Sequence, residues 1–215
     1  MYDYKEWKER VENILKDNLE IIDNSYLPKS DDLTFGNAYY SWVGSIFIDI
    51  RDSSSLFKNN DNKDISKIMK CFTSELIEIL RGSTNMRDIG IRGDCVYAIY
   101  TTPSQQDLHN LYLRACCCNT YIKMLNKLLL KYALPNFKVG IGLGASETLV
   151  IKAGRKDVGI NDKVWIGDSV IDASNFAPIA NKCGFGDIVM SEVFYNNLSN
   201  IEDNVKIFFD KKYSE

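Results

Sequence analysis

Two aspartates stand where a pair of carboxylates can meet. Asp49 closes the apolar run SWVGSIFIDI, and Asp94 follows Gly93 between the short stretches IGIR and CVYAIY. Two strands lying side by side bring both carboxylates to one edge of a sheet. Magnesium and manganese suit such an edge, because these ions take oxygen ligands and are usually held by one or two carboxylates together with a substrate's phosphates. Two ions so held lower the pKa of an attacking hydroxyl and neutralise charge on a phosphoryl leaving group. After Asp49 the chain runs Ile50-Arg51-Asp52-Ser53-Ser54-Ser55, a small polar turn into a helix whose backbone N–H groups can receive a polyphosphate. An aspartate after a strand is also a common helix cap, and Gly-Asp is ordinary hairpin-tip chemistry. Pattern alone leaves both readings open.

The elements that must position these residues alternate along the chain. Residues 4–22 read as an amphipathic helix, with Trp7, Val11, Ile14, Leu15, Leu19 and Ile22 near helical spacing, and residues 24–37 as a loop. SWVGSIFIDI is a buried strand. A helix is expected over about 64–81, with an apolar stripe from Ile65 to Leu80, then two short strands within 89–100 around Gly93-Asp94. A long helix over about 105–132 begins beside Ser104 and ends before Pro135. NFKVGIGLGA and ETLVIKAG read as two extended pieces, KVWIGDSVIDASNFA as a strand and then a helix entered near Asp168. GDIVMSEVFYNNL supplies a strand and a short helix, and NVKIFFD a last strand. This order indicates an α/β or α+β fold, with helices on one face of a mainly antiparallel sheet. The chain divides into an N-terminal helix and loop, 1–36, and one domain, 37–215.

Composition narrows the classes. The 215 residues suffice for one domain with a sizeable core. A net charge of -3 offers no basic field for a nucleic-acid backbone. No run approaches the roughly 20 apolar residues of a membrane span, and the N-terminus lacks a signal-peptide core, so a cytoplasmic protein is expected. The six cysteines lack the paired spacing of a zinc site, and His109 is the one histidine. Cys116-Cys117-Cys118 lies in a helical pattern and reads as small, reduced packing residues.

FIDIR (Phe47 to Arg51) and IRGDC (Ile91 to Cys95) resemble the paired metal motifs of class III adenylyl and guanylyl cyclases. KVGIGLG (Lys138 to Gly144) looks like that family's glycine-bearing central strand, and VWIGDSVIDAS (Val164 to Ser174) resembles its catalytic strand-to-helix segment. The four occur in the family's order across about 130 residues. Within the superfamily the chain most resembles the bacterial pyrimidine cyclases of Pycsar antiphage defence, through RGD in the second motif, the IKAGRKD connector and NDKVWIG. Purine cyclases carry Lys or Glu four residues before the second metal Asp, which is Gly90 here. Their second base reader falls on Val164, if Gly167 is the matching glycine. Neither offers a side-chain hydrogen bond, which points to a smaller base. Arg92, and Tyr97 or Tyr100, can donate to a pyrimidine carbonyl or stack on its ring; packing in an alternating strand is the competing role for the tyrosines.

The resemblance implies a ferredoxin-like cyclase domain working as a head-to-tail homodimer. Each site would take its metal ligands from one chain and its catalytic-segment residues from the other. UTP or CTP would be converted to the 3′,5′-cyclic monophosphate and pyrophosphate, with two Mg2+ or Mn2+ ions per site held by Asp49, Ile50 and Asp94. Ile50, Arg51, Ser53, Ser54, Arg92 and Lys163 would bind the nucleotide, and Arg155 and Asn175 would act in catalysis. The product would be sensed by a separate cyclic-nucleotide-binding effector. The family usually has Asn and Arg or Lys four and eight residues after the catalytic Gly, where Ile171 and Asn175 stand here. Either another cation such as Lys182 substitutes, or turnover is slow, or nucleotide is bound without being cyclised. A purine cyclase with unusual base recognition and a silent nucleotide-binding module are the alternatives.

Overall fold

Alternation of small, β-branched and aromatic residues makes β2 (Asn37–Ile50) the spine of the sheet, since one face is built for a core and the other for a second layer. The computed structural model describes residues 3–29, 32–155, 158–182 and 184–199. Ahead of β2 come α1 (Tyr4–Lys16) and β1 (Glu20–Asp23). After it come α2 (Ser53–Lys58), α3 (Asn62–Arg81), the hairpin β3 (Met86–Arg92) and β4 (Cys95–Thr101), and α4 (Gln105–Lys131). The chain continues through β5 (Val139–Arg155), β6 (Ile160–Ile166), α5 (Asp168–Phe176), β7 (Ile188–Met190) and α6 (Glu192–Ser199).

The strand order is β3-β4-β2-β5-β6, antiparallel throughout, with β1 added parallel to the start of β2 and β7 parallel to β5. On one face Ile46, Ile48 and Ile50 of β2, Val96 and Ala98 of β4, and Ile141 and Leu143 of β5 meet α3 and α4. Helix α3 buries Ile68, Phe72, Leu76 and Leu80, one residue per turn. Helix α4 starts on a Ser104–Asp107 capping box and buries an apolar seam from Leu108 to Leu129. Phe194 and Leu198 of α6 complete this core.

Several sequence expectations change. The helix expected over 4–22 ends at Lys16. The turn-favouring Asp17 and Asn18 stop it, and β-branched Ile21 and Ile22 find a partner in β2, which periodicity cannot reveal. The loop over 24–36 contributes Leu27 and Leu33 to a smaller cluster with Tyr39, Val43, Ile99 and Val150. NFKVGIGLGA and ETLVIKAG form one 17-residue strand, because β2 supplies ladder partners from Val139 to Ile151 and β6 continues from there. Helix α5 lies on the face opposite α3 and α4. NVKIFFD and Cys183 lie outside the described residues. Adjacent members of Cys116-Cys117-Cys118 point in different directions, with Cys118 buried and Cys117 exposed. Among the described residues no three His, Cys, Asp or Glu side chains gather as a metal cluster, and no helix is long and apolar enough to cross a membrane.

Candidate active site

The second face of the sheet is laid out in rows by strand register. Arg92, Cys95, Asp49 and Gly140 stand opposite one another in the first row. Gly90, Tyr97, Phe47 and Gly142 form the second, and Asp88, Ile99, Ser45 and Gly144 the third. Two-residue alternation puts all these positions on one side, with rows about 7 Å apart.

Helix α5 covers the glycine column. A Cβ at Gly140, Gly142 or Gly144 would come within 2.1 Å of the carbonyl oxygens of Ala177, Ala173 and Ser169 respectively. The KVGIGLG spacing thus exists to let a helix backbone lie on a strand. Ser45 and Ser169 share a buried hydrogen bond of 2.7 Å beneath that contact.

The first row holds the candidate chemistry. Gly93 adopts φ +64 at the first central position of the two-residue turn between β3 and β4, a conformation glycine takes without penalty, and Asp94 follows it. The Ile50 N–H donates to the Asp94 carbonyl at 3.4 Å, which ties the end of β2 to the hairpin tip. Burial, then the nearby Asp94 carboxylate, push the Asp49 carboxyl up to about 6, while Arg51 pulls it down. Burial and the same two carboxylates push the neighbouring Cys95 thiol up to about 12, which disfavours its thiolate. Asp49 and Asp94 are therefore close enough to repel, and a shared divalent cation would relieve that repulsion. Two carboxylates with room for substrate phosphates match the donor set magnesium or manganese prefers.

Beyond Ile50 the chain turns through Asp52, a non-glycine residue at φ 53, into α2. The Ser55 and Leu56 N–H groups donate back to the Asp52 carbonyl at 2.9 and 3.1 Å. Among the described residues, the N–H groups of Ser53 and Ser54 have no main-chain acceptor, so the turn presents donors beside the carboxylates. The Ile50 side chain is buried in the core, which leaves only its main chain to the site.

Other expected site residues are placed differently. The Arg51 guanidinium donates to the carbonyls of Ala177 and Pro178, clamping the end of α5 onto the end of β2. In this structure it is a tether beside the carboxylates and does not reach toward an open phosphate position. Arg92 is exposed in the first row, near enough to bias both Cys95 and Tyr97 toward their anions. Tyr100 is buried, and its hydroxyl donates to the Leu80 carbonyl at 2.7 Å, a core role. Asn175 and Ile171 are exposed on α5.

Lys163 and Arg155 are remote from Asp49. Gly140 pairs with Asp49, and Arg155 lies fifteen residues further along β5, on the order of 50 Å of strand. The Lys163 ammonium donates to the Arg87 carbonyl, and Trp165 Nε1 donates to Asp88 Oδ2 at 2.9 Å. The sheet curls, so that its two edge strands, β6 and β3, meet over the smaller core. Sequence reasoning missed this closure and the tether at Arg51, because both join residues more than 70 positions apart.

An antiparallel sheet carrying paired carboxylates at a strand end and a hairpin tip defines a class. Among solved structures, the chain is similar to a class III adenylyl cyclase-like ATP-binding protein from Pseudomonas aeruginosa, with TM-score 0.71 and 19% identity over 90% of this chain and 43% of that one. It is also similar to the adenylyl cyclase CyaB from P. aeruginosa, with TM-score 0.67 and 16% identity over 76% of this chain and 83% of that one. No family model matches. In sequence the chain is 48% identical over 214 residues to a uridylate cyclase of Treponema porcinum, covering all of this chain and 74% of the relative. It is 31% identical over 188 residues to a uridylate cyclase of Gulbenkiania mobilis, covering 84% of this chain and 73% of that relative. The chain belongs to the family of these uridylate cyclases, and its fold is that of the class III cyclase domains.

Proposed function

We propose that the protein converts UTP to 3′,5′-cyclic UMP and pyrophosphate. The observation that carries this reading is the meeting of Asp49 and Asp94 at one sheet edge, in a chain 48% identical to a uridylate cyclase along its whole length. The ribose 3′-oxygen bonds to the α-phosphorus, the bond from that phosphorus to the pyrophosphate oxygen breaks, and the hydroxyl proton passes to solvent. Two Mg2+ or Mn2+ ions, when bound, would acidify the hydroxyl and take up charge on the triphosphate.

The protein's own groups divide the rest of the task. Asp49, Asp94 and the Ile50 main chain hold the cations. The Ser53 and Ser54 N–H groups receive phosphate oxygens, and Arg92 faces the nucleotide from the first row. Arg51 positions the end of α5. Because Arg155 and Lys163 lie far along β5 and β6 from Asp49, they serve the site of a second copy, in a head-to-tail homodimer that also presents Asn175. The cyclic product would act in the cytoplasm as a second messenger of antiphage defence, read by a separate cyclic-nucleotide-binding effector.

The test is purified protein with manganese and each of the four nucleoside triphosphates, following pyrophosphate and cyclic product. Turnover of UTP supports the reading. Turnover confined to ATP or GTP, or nucleotide binding without turnover, overturns it. Full activity in Asp49→Ala would remove the metal assignment.

A further inference from the structure

We infer that the apolar stripe of α1 docks on the open sheet face formed by β1, β2, β5 and β6 of a second copy of this chain, so that two copies exchange helices. The surfaces concerned lie away from Asp49 and Asp94, and the inference stands whatever the substrate is.

Tyr4, Val11, Ile14 and Leu15 line one stripe of α1, and none of its thirteen residues is buried. Ile14 is 70% exposed and Leu15 79%. A helix of this length is marginal in water unless such a stripe is packed away, so α1 is built for a surface it does not meet within its own chain.

The sheet offers that surface. Helices α3 and α4 cover one side of β2 from Gly44 to Ile50. Beyond them, strand register sets two rows on the same side: Asp23, Tyr40, Leu149 and Ile166, then Ile21, Ala38, Ile151 and Val164. Ile21, Tyr40, Val164 and Ile166 are exposed, Ile21 by 63%. Contiguous open apolar surface of this kind marks an interaction site. Four strands about 4.8 Å apart span on the order of 15 Å, and the stripe from Tyr4 to Leu15 runs about 17 Å along the helix axis.

Charge fits the one to the other. Lys8 stands four residues after Tyr4 and Arg10 four before Ile14, one on each flank of the stripe. Their exposed pairs with Glu12 and Glu6, at 3.6 and 3.5 Å, are of the weak surface kind and can be exchanged. The sheet face carries acids: the Tyr40 hydroxyl donates to Glu147 Oε2 at 3.5 Å, and desolvation, then Glu147 and Asp23, push that hydroxyl's pKa up. The chain's own helix is poorly placed to dock there. Only Asp17, Asn18 and Leu19 separate α1 from β1, Asp17 is extended, and β1 is itself part of the floor. Three residues reach on the order of 10 Å, too little for α1 to rise above that floor and turn back across it. A second copy has no such tether, and two-fold exchange closes the pair, each chain giving one helix and receiving one.

The test is cross-linking of the full chain with a short bismaleimide, in a background of Cys71→Ser and Cys117→Ser that removes two exposed thiols, with folding checked by circular dichroism. Val11→Cys combined with Tyr40→Cys should give a covalent dimer on a denaturing gel, and neither single variant should. Val11→Cys with Ile21→Cys decides the matter if the Tyr40 variant does not fold. Adding Ile14→Glu, or Asp23→Lys with Glu147→Lys, should lower the dimer yield at least about tenfold, the scale of losing one central contact. Adding Lys8→Glu with Arg10→Glu to the reversed sheet should recover it. A link within one chain overturns the proposal, as does equal dimer from Val11→Cys alone, which would pair helix with helix. An unchanged yield after reversing the sheet charges also overturns it, as does the absence of any link. Sedimentation of the wild type with phosphatidylglycerol vesicles, lost in Ile14→Glu and accompanied by no link, would give the helix to a lipid surface instead.

Discussion

A half-buried carboxylate beside a second carboxylate is a cost the fold bears for its site. Burial and then Asp94 raise Asp49 from an ordinary carboxyl to about 6. A raised folded-state pKa means that the cost is absent below the unfolded value near 4 and grows as pH rises through 6. Two pKa units correspond to about 3 kcal/mol, and partial exposure screens this to about 1 kcal/mol. Asp49→Asn should therefore stabilise the metal-free protein by about 1 kcal/mol near pH 8, or about 2–4 °C in Tm, while abolishing turnover. Near pH 4 the gain should vanish. Thermal melts in a chelator at the two pH values check this, and an equal or lower Tm for the variant at pH 8 would show that the carboxylates do not repel. Asp49 and Asp94 were legible in the sequence because each is fixed by local structure, a strand end and a hairpin tip. The contact of Tyr97 with Gly90 was not, since it depends on cross-strand register and on a ring orientation that no spacing encodes. The anchoring of Arg51 on Pro178 was hidden for the same reason.

Between elements, the contact that sets the site's shape is α5 on β5. Its signal, three glycines at alternate positions from Gly140 to Gly144, reads as a glycine-bearing strand, whereas an expectation of helices on one face of the sheet does not foresee α5 on the face opposite α3 and α4. Alternation states that one face of β5 is bare and leaves open what covers it. In the structure a Cβ at Gly142 meets the Ala173 carbonyl at 2.1 Å and the Ala177 amide at 2.6 Å, both backbone atoms that cannot rotate away. Gly142→Ala must therefore lift α5 from the sheet. The expected loss is about 3 kcal/mol, the upper part of the usual range for overpacking, visible as a lower urea midpoint at unchanged slope. Activity should fall further than folding does, because α5 carries Asn175 and, through Ala177 and Pro178, holds Arg51 beside Asp49. A Gly142→Ala protein as stable as wild type would mean that α5 does not rest on this strand. The N-terminal region shows the same division between local and long-range information. Helix α1 was visible from its periodicity, whereas β1 exists only through parallel pairing with β2.

At the scale of the whole molecule, the separation of the expected site residues is itself informative. Asp49 and Asp94 lie at one end of the sheet, whereas Arg155 lies about fifteen residues down β5 from Gly140 and Lys163 of β6 pairs with Lys152, three residues short of it. Along β5 that is on the order of 50 Å of strand. If these residues serve one reaction, a site shared by two copies puts the carboxylate end of one sheet against the β6 end of the other. A closed two-fold pair of this kind contains two equivalent sites. Asp49→Ala and Arg155→Ala proteins should each be nearly inactive, and a mixed dimer of the two should have one intact site and one doubly damaged site. Equimolar mixing with free exchange makes half the dimers mixed, so activity should return to about a quarter of wild type. The assay is cyclic-product formation after mixing, with size-exclusion chromatography to follow exchange. Exchange without recovered activity would place Arg155 outside the shared site, and a monomer that turns over UTP would remove the need for a second copy.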